Sequence, residues 1–85
     1  MDRPSVQVLI RQKLDDGTLP TKAPSKIYAG YGSGEPCDAC GNTIFRAQAE
    51  YELSYPDDRR IFRMHFGCAS LWETLRRKRG LEPAL

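Results

Sequence analysis

The chain has 85 residues, of which 40% are hydrophobic and 28% charged, and its formal net charge is +2. A chain this short accommodates one domain, and it often needs a metal, disulfides or a partner to stay folded. The small net charge does not require a nucleic-acid partner. No apolar run approaches the ~20 residues of a membrane span, and the first residues lack the layout of a signal peptide, so we expect a cytoplasmic protein.

The N-terminal segment, residues 1–16, is predicted to contain a short amphipathic helix. Asp2 is a candidate N-cap, Pro4 suits the first turn, and Gly17 is well placed to end the helix. The apolar residues that recur at helical spacing are Val6, Leu9, Ile10 and Leu14. Such a helix is marginal in water, so this stripe must be buried. Packing within the chain or self-association is favoured over docking to an unknown protein partner.

Residues 17–34 are predicted to be a linker, because prolines and glycines recur too often for long regular structure. Ile27, Tyr28 and Tyr31 are expected to form a short edge strand or to lie across the core. The Gly-Tyr-Gly-Ser-Gly run is no phosphate-binding loop, since no Lys-Ser/Thr pair follows it. We expect it to let the backbone curl into the next segment.

Four residues carry the most specific signal in the chain. Cys37 and Cys40 form a C-x2-C pair, and His65 and Cys68 form an H-x2-C pair after 24 intervening residues. They are all the cysteines and histidines that the chain has, and three thiols cannot all pair as disulfides. Thiolate and imidazole donors at such spacing are typical of a tetrahedral Zn²⁺ site. The sequence therefore predicts one zinc ion per chain, bound by all four side chains.

The residues around these pairs predict a hairpin and then a helix. Residues 43–64 are predicted to form a β-hairpin, because apolar and polar side chains alternate over residues 50–55 as they do in strands. Tyr55-Pro56-Asp57-Asp58 is predicted to be the turn. Ile44 and Phe45 are expected to pack beneath the Cys37–Cys40 turn. Residues 65–79 are predicted to be helical, with Gly80 as the stop and residues 81–85 frayed. The apolar stripe of this helix is Cys68, Leu71, Trp72 and Leu75.

The order of zinc knuckle, hairpin and ligand-bearing helix resembles the treble-clef zinc finger. The resemblance covers residues 35–80 and rests on C-x2-C-G followed by H-x2-C at the start of a Leu-Trp helix. The whole sequence is also similar to small uncharacterised bacterial treble-clef-like proteins with a short N-terminal helix. The resemblance implies a small α+β zinc-stabilised domain, preceded by a short N-terminal amphipathic helix.

Catalysis is not expected, because four protein ligands leave no open metal position for water. Pro36 with the C-x2-C pair matches half of the nucleoside deaminase motif, but no H-x-E precedes it, and a thioredoxin-like context is missing too. The favoured function is a structural zinc module for protein interaction or regulation. The alternative is nucleic-acid binding by the basic end of the last helix, although a solvated helix end that complements the dipole is the simplest interpretation. The candidate contacts are Arg76, Arg77, Lys78 and Arg79.

Overall fold

Two helices and a three-stranded antiparallel sheet make up the protein in this computed structural model, which describes residues 5–56 and 58–84. In chain order the elements are α1 Val6–Asp15, β1 Lys26–Tyr31, β2 Ala49–Tyr55, β3 Asp58–His65 and α2 Phe66–Lys78. The sheet order is β1-β2-β3. The predicted small α+β class is confirmed. β1 comes from the segment predicted to be a linker, so the edge-strand alternative for that segment is confirmed.

A capping hydrogen bond marks the start of helix α1, and a glycine with positive φ follows its end. Its N-cap is Ser5, whose Oγ accepts a hydrogen bond from the backbone N–H of Val8 at 3.2 Å. The predicted cap Asp2 and the predicted first-turn Pro4 lie outside the described residues. Gly17 has a φ of +82° just beyond the C-terminus, as predicted, and this conformation favours glycine.

The apolar stripe of α1 is partly buried inside the chain. Ile10 and Leu14 pack into the core, and α1 packs against α2. Leu19 folds back over the last turn and is buried there, as expected. Its backbone N–H donates to the carbonyl of Lys13 at 3.0 Å. Packing within the chain therefore buries Ile10 and Leu14 of the predicted stripe, whereas Val6 and Leu9 are half-buried.

The core lies between α2 and one face of the sheet. Leu53 of β2 is in register with Phe62 of β3, and both are buried with Met64. Trp72 is also fully buried, and its Nε1–H donates to the carbonyl of Pro20 at 2.9 Å. The predicted burial of Trp72 and Leu75 is confirmed. Within the described residues, neither helix is long and apolar enough to cross a bilayer.

The hairpin is shorter than predicted. The predicted strand region began at residue 43, but β2 begins at Ala49, because a turn closed by the Gln48 N–H to Phe45 carbonyl bond intervenes. Ile44 is buried as expected, whereas the expectation for Phe45 is wrong, since its side chain is 63% exposed. The turn predicted over residues 55–58 includes Asp57, which lies outside the described residues.

The C-terminal tail is held against α2, so the prediction of a frayed tail is wrong over residues 81–84. The backbone N–H of Ala84 donates to Glu73 Oε2 at 2.6 Å, and the carbonyl of Glu82 accepts from Arg76 Nη1 at 2.9 Å. Arg76 was expected at a solvated helix end, and Glu73 lies outside the predicted apolar stripe. They are instead buried, and they form an ion pair of 2.8 Å with each other.

Candidate metal centre

The structure brings all four predicted ligand residues together. Cys37 and Cys40 lie in the loop between β1 and β2, His65 ends β3 and precedes α2, and Cys68 lies in the first turn of α2. Their four donor atoms lie within 4.8 Å of one another. Three separate parts of the chain therefore meet at one cluster that is compatible with a metal ion.

The spacing of the donor atoms fits tetrahedral coordination. Bond lengths of ~2.3 Å to sulfur and ~2.0 Å to nitrogen place a sulfur and a nitrogen ligand roughly 3.5 Å apart in a tetrahedron. The Nδ1 atom of His65 lies 3.5 Å from the Cys40 sulfur and 3.9 Å from the Cys68 sulfur. The imidazole thus presents Nδ1, rather than Nε2, to the sulfur atoms.

Two oxygen atoms hold the His65 ring in this orientation. Its Nε2 lies 3.2 Å from the carbonyl oxygen of Thr43 and 3.2 Å from Oε1 of Gln48. Both oxygens accept hydrogen bonds, so they favour the tautomer that carries its proton on Nε2 and leaves the Nδ1 lone pair facing the sulfurs. Such outer contacts fix the tautomer and raise the basicity of a metal-bound histidine. Gln48 was not identified from the sequence, because nothing in its local pattern distinguishes it.

The pKa values of two of the thiols are shifted in opposite directions by their surroundings. The hydrogen bond with the Cys68 thiol lowers the pKa of Cys37 to about 4, and backbone amides of Cys40, His65 and Ala39 act in the same direction against burial. The hydrogen bond with Cys37, together with burial, raises the pKa of Cys68. A metal ion that binds both sulfur atoms would displace their protons, because the thiolate is the form that coordinates metal.

The Cys37–Cys40 turn has a backbone suited to thiolates. Gly41 has a φ of +81°, a conformation that favours glycine, and the Cys40 N–H points at the Cys37 sulfur from 3.5 Å. Asp38 also connects this turn to the edge of β3 that does not pair with β2. The Asp38 carboxylate accepts from the Arg63 backbone N–H at 2.8 Å and from Arg60 Nη2 at 3.0 Å. The position of the first ligand pair therefore depends on the sheet.

Helix α1 is attached to the same turn. Lys13 Nζ donates to the carbonyl oxygens of Asp38 and Ala39, each at 2.9 Å. Three thiolates, one neutral imidazole and a divalent ion sum to a net charge of −1, so the nearby ammonium group is electrostatically favourable. The sequence offered no signal for this contact, because 25 residues separate Lys13 from Asp38.

The approach to the turn requires a glycine. A Cβ atom built on Gly32 would lie only 2.0 Å from the carbonyl oxygen of Phe45, so no other residue fits there without a backbone shift. Gly34 follows with a φ of +86°. The expectation that the glycine-rich run lets the chain curl into the metal-binding segment agrees with this geometry.

The basic residues near the end of α2 do not form one cluster. Arg76 is fully buried, so the expectation that all four candidates are solvated is wrong for this residue. Arg79 forms an ion pair of 2.7 Å with Asp15 of α1. Arg77 and Lys78 are exposed, and Arg77 Nε lies 3.6 Å from Glu73 Oε2.

No protein-family model, no curated protein and no solved structure matches the chain. The function is therefore inferred from the residues of the site and of the surface.

Proposed function

We propose that Cys37, Cys40, His65 and Cys68 bind one structural Zn²⁺ ion in a treble-clef-like module that acts through protein interaction and not through catalysis. The observation that carries this proposal is the convergence of four donor atoms within 4.8 Å. Three thiolates and an imidazole are soft or borderline donors, which favour zinc over magnesium or calcium. Four protein ligands complete a tetrahedron and leave no position for a reacting water molecule.

The surface supports interaction as the role. Tyr28, Tyr31, Phe45 and Phe66 are all exposed, although aromatic side chains usually contribute to cores and interfaces. Phe66 also contacts Tyr51, with 5.4 Å between the ring centroids. Aromatic residues are enriched at protein–protein interfaces, so these exposed side chains support an interaction role.

Metal analysis tests the site directly. The purified protein is expected to hold one zinc ion per chain, and the Co²⁺-exchanged protein should show the visible d–d and thiolate charge-transfer bands of a tetrahedral centre. A Cys40→Ser variant should bind less metal and alter these bands. Folded wild-type protein without a stoichiometric metal would contradict the proposal.

The outer contact of His65 gives a second test. We expect Gln48→Leu to lower zinc affinity by about tenfold, which is the low end of the range for groups that hydrogen-bond a metal ligand. The effect should be small because the Thr43 carbonyl still accepts a hydrogen bond from His65 Nε2. Gln12→Leu, on the exposed side of α1, is the matched control and should leave the affinity unchanged. Competition with a chromophoric chelator measures both variants. Equal affinities in the two variants would show that Gln48 does not orient the ligand.

Nucleic-acid binding remains the alternative, with less support. Arg76 is buried, Arg79 is paired with Asp15, and Arg77 lies 3.6 Å from Glu73, so the basic run presents only Lys78 and the exposed part of Arg77 to a phosphate. We expect no salt-dependent complex with duplex DNA near physiological ionic strength. A complex whose log–log salt slope falls by ~0.9 for each of these residues changed to Gln would favour the alternative.

A further inference from the structure

Strand β1 has a free edge that the described part of the chain does not cover. It pairs only with β2, while α2 packs over β2 and β3. Tyr31 is 83% exposed and Tyr28 54% exposed. Natural edge strands are commonly protected by prolines or by several charges, whereas β1 has no proline and one charged residue, Lys26, at its start. The free edge of β1 can therefore form backbone hydrogen bonds with another strand.

The pairing with β2 shows which backbone groups point outward. The Gly32 N–H donates to the Gln48 carbonyl at the end of the β1–β2 ladder. In an antiparallel ladder, alternate residues bond to the same neighbour. Even-numbered residues of β1 therefore bond to β2, and the N–H and C=O groups of Ile27, Ala29 and Tyr31 point towards the free edge.

We propose that β1 pairs antiparallel with β1 of a second copy of this chain, with Ala29 opposite Ala29 on the two-fold axis. In this register Ile27 lies opposite Tyr31 of the second copy. By symmetry, Tyr31 lies opposite Ile27 of the second copy. All three outward residues of each copy then form backbone hydrogen bonds. The contact is closed by symmetry, so it gives a dimer with a continuous six-stranded sheet and not a filament.

The side chains are self-complementary in this register. Ile27 beside Tyr31 is a β-branched and aromatic pair, a favourable cross-strand combination. On the other face, Tyr28 lies opposite Gly30, and nothing approaches within 4 Å of a Cβ position on Gly30. An aromatic side chain can cover a glycine placed in this way. Ala29, at the axis, is small enough to face its own copy.

Charge does not oppose the pairing. In this register Lys26 lies opposite Gly32 of the second copy, so the two Lys26 residues are about 20 Å apart at the strand rise of ~3.4 Å per residue. That separation exceeds the Debye length of about 8 Å at physiological salt. Repulsion between the two lysines is therefore largely screened.

The expected dimer is of moderate affinity. A tyrosine buries roughly 150–250 Å² when it is fully covered, so the exposed parts of the four tyrosines offer roughly 400–700 Å². The strand backbone, Ile27 and Ala29 add to this area, which brings the contact towards the ~1,000 Å² of a specific interface. Dimerisation should therefore depend on concentration. The second copy thus becomes the partner in the interaction role proposed above.

Sedimentation of the zinc-loaded 85-residue chain over a concentration series tests the dimer. Ala29 is exposed in the single chain, so Ala29→Glu and Ala29→Lys should leave the fold intact. Each variant places like charges opposite each other and should weaken dimerisation by at least about fivefold. An equimolar mixture of the two variants should form a heterodimer at concentrations near those of the wild type, because opposite charges then face each other.

A control variant and a metal assay separate this proposal from the others. Val8→Glu, on the exposed side of α1, should leave dimerisation unchanged. A wild-type chain that stays monomeric, a dimer that both Ala29 variants leave intact, or a dimer lost only in Val8→Glu would each overturn the β1 pairing. Zinc content is measured on the same samples, so a monomer with one zinc per chain refutes the dimer and leaves the zinc site standing.

Discussion

Removal of zinc by a chelator is expected to unfold residues 35–80 instead of leaving a native-like apoprotein. The four proposed ligands connect the Cys37–Cys40 turn, the end of β3 and the first turn of α2. Structural zinc contributes of order ~10 kcal/mol to folding, which matches or exceeds the whole stability of a typical domain. The thiol groups that remain would also place polar atoms in a partly buried cluster without their metal.

Trp72 reports this transition, because it is the only tryptophan and is fully buried. Its fluorescence should shift to the red on chelation, and the helical signal in far-ultraviolet circular dichroism should fall. Chelator that is already saturated with zinc is the control and should have no effect. If chelation strips the metal and both signals persist, the ion does not hold the fold together.

Arg76→Met is expected to destabilise the zinc-loaded protein by about 3–5 kcal/mol, the usual cost of removing one member of a buried ion pair. Arg76 is fully buried and lies over the Trp72 ring, 4.9 Å from its centroid. Its Nε donates to the Thr21 carbonyl at 2.8 Å, and its Nη1 donates to Glu73 Oε1 at 2.8 Å. Loss of this guanidinium leaves Glu73 buried beside a weaker contact with Arg77.

Urea unfolding of matched variants measures this effect. Lys78→Met, on the exposed surface of the same helix, should change stability by no more than about 0.5 kcal/mol. The double variant Glu73→Leu with Arg76→Met should recover part of the loss, because it removes both buried charges together. If Arg76→Met and Lys78→Met unfold at the same urea concentration, the ion pair contributes nothing net to stability.

The sequence by itself determined the features that depend on short-range chemistry. The ligand set could be predicted because the C-x2-C and H-x2-C pairs use all the cysteines and histidines of the chain. The positive φ of Gly17, Gly41 and Gly80 follows from their places after a helix or a cysteine turn. The burial of Trp72 follows from the period of its helix.

Only the tertiary structure decided the roles that depend on distant parts of the chain. Arg76 was assigned to solvent because a cation in the last turn of a helix complements the dipole there, yet its partner carbonyl on Thr21 is 55 residues away in sequence. Gln48 is likewise 17 residues away in sequence from His65, which it contacts. Lys13 is 25 residues away from Asp38 of the Cys37–Cys40 turn, to which it donates a hydrogen bond. A buried polar group is stable only where the fold supplies its hydrogen-bond partners. When those partners are distant in sequence, the spacing of neighbouring residues does not predict them. The free edge of β1 has the same origin, since the layout of the sheet and α2 leaves that edge uncovered.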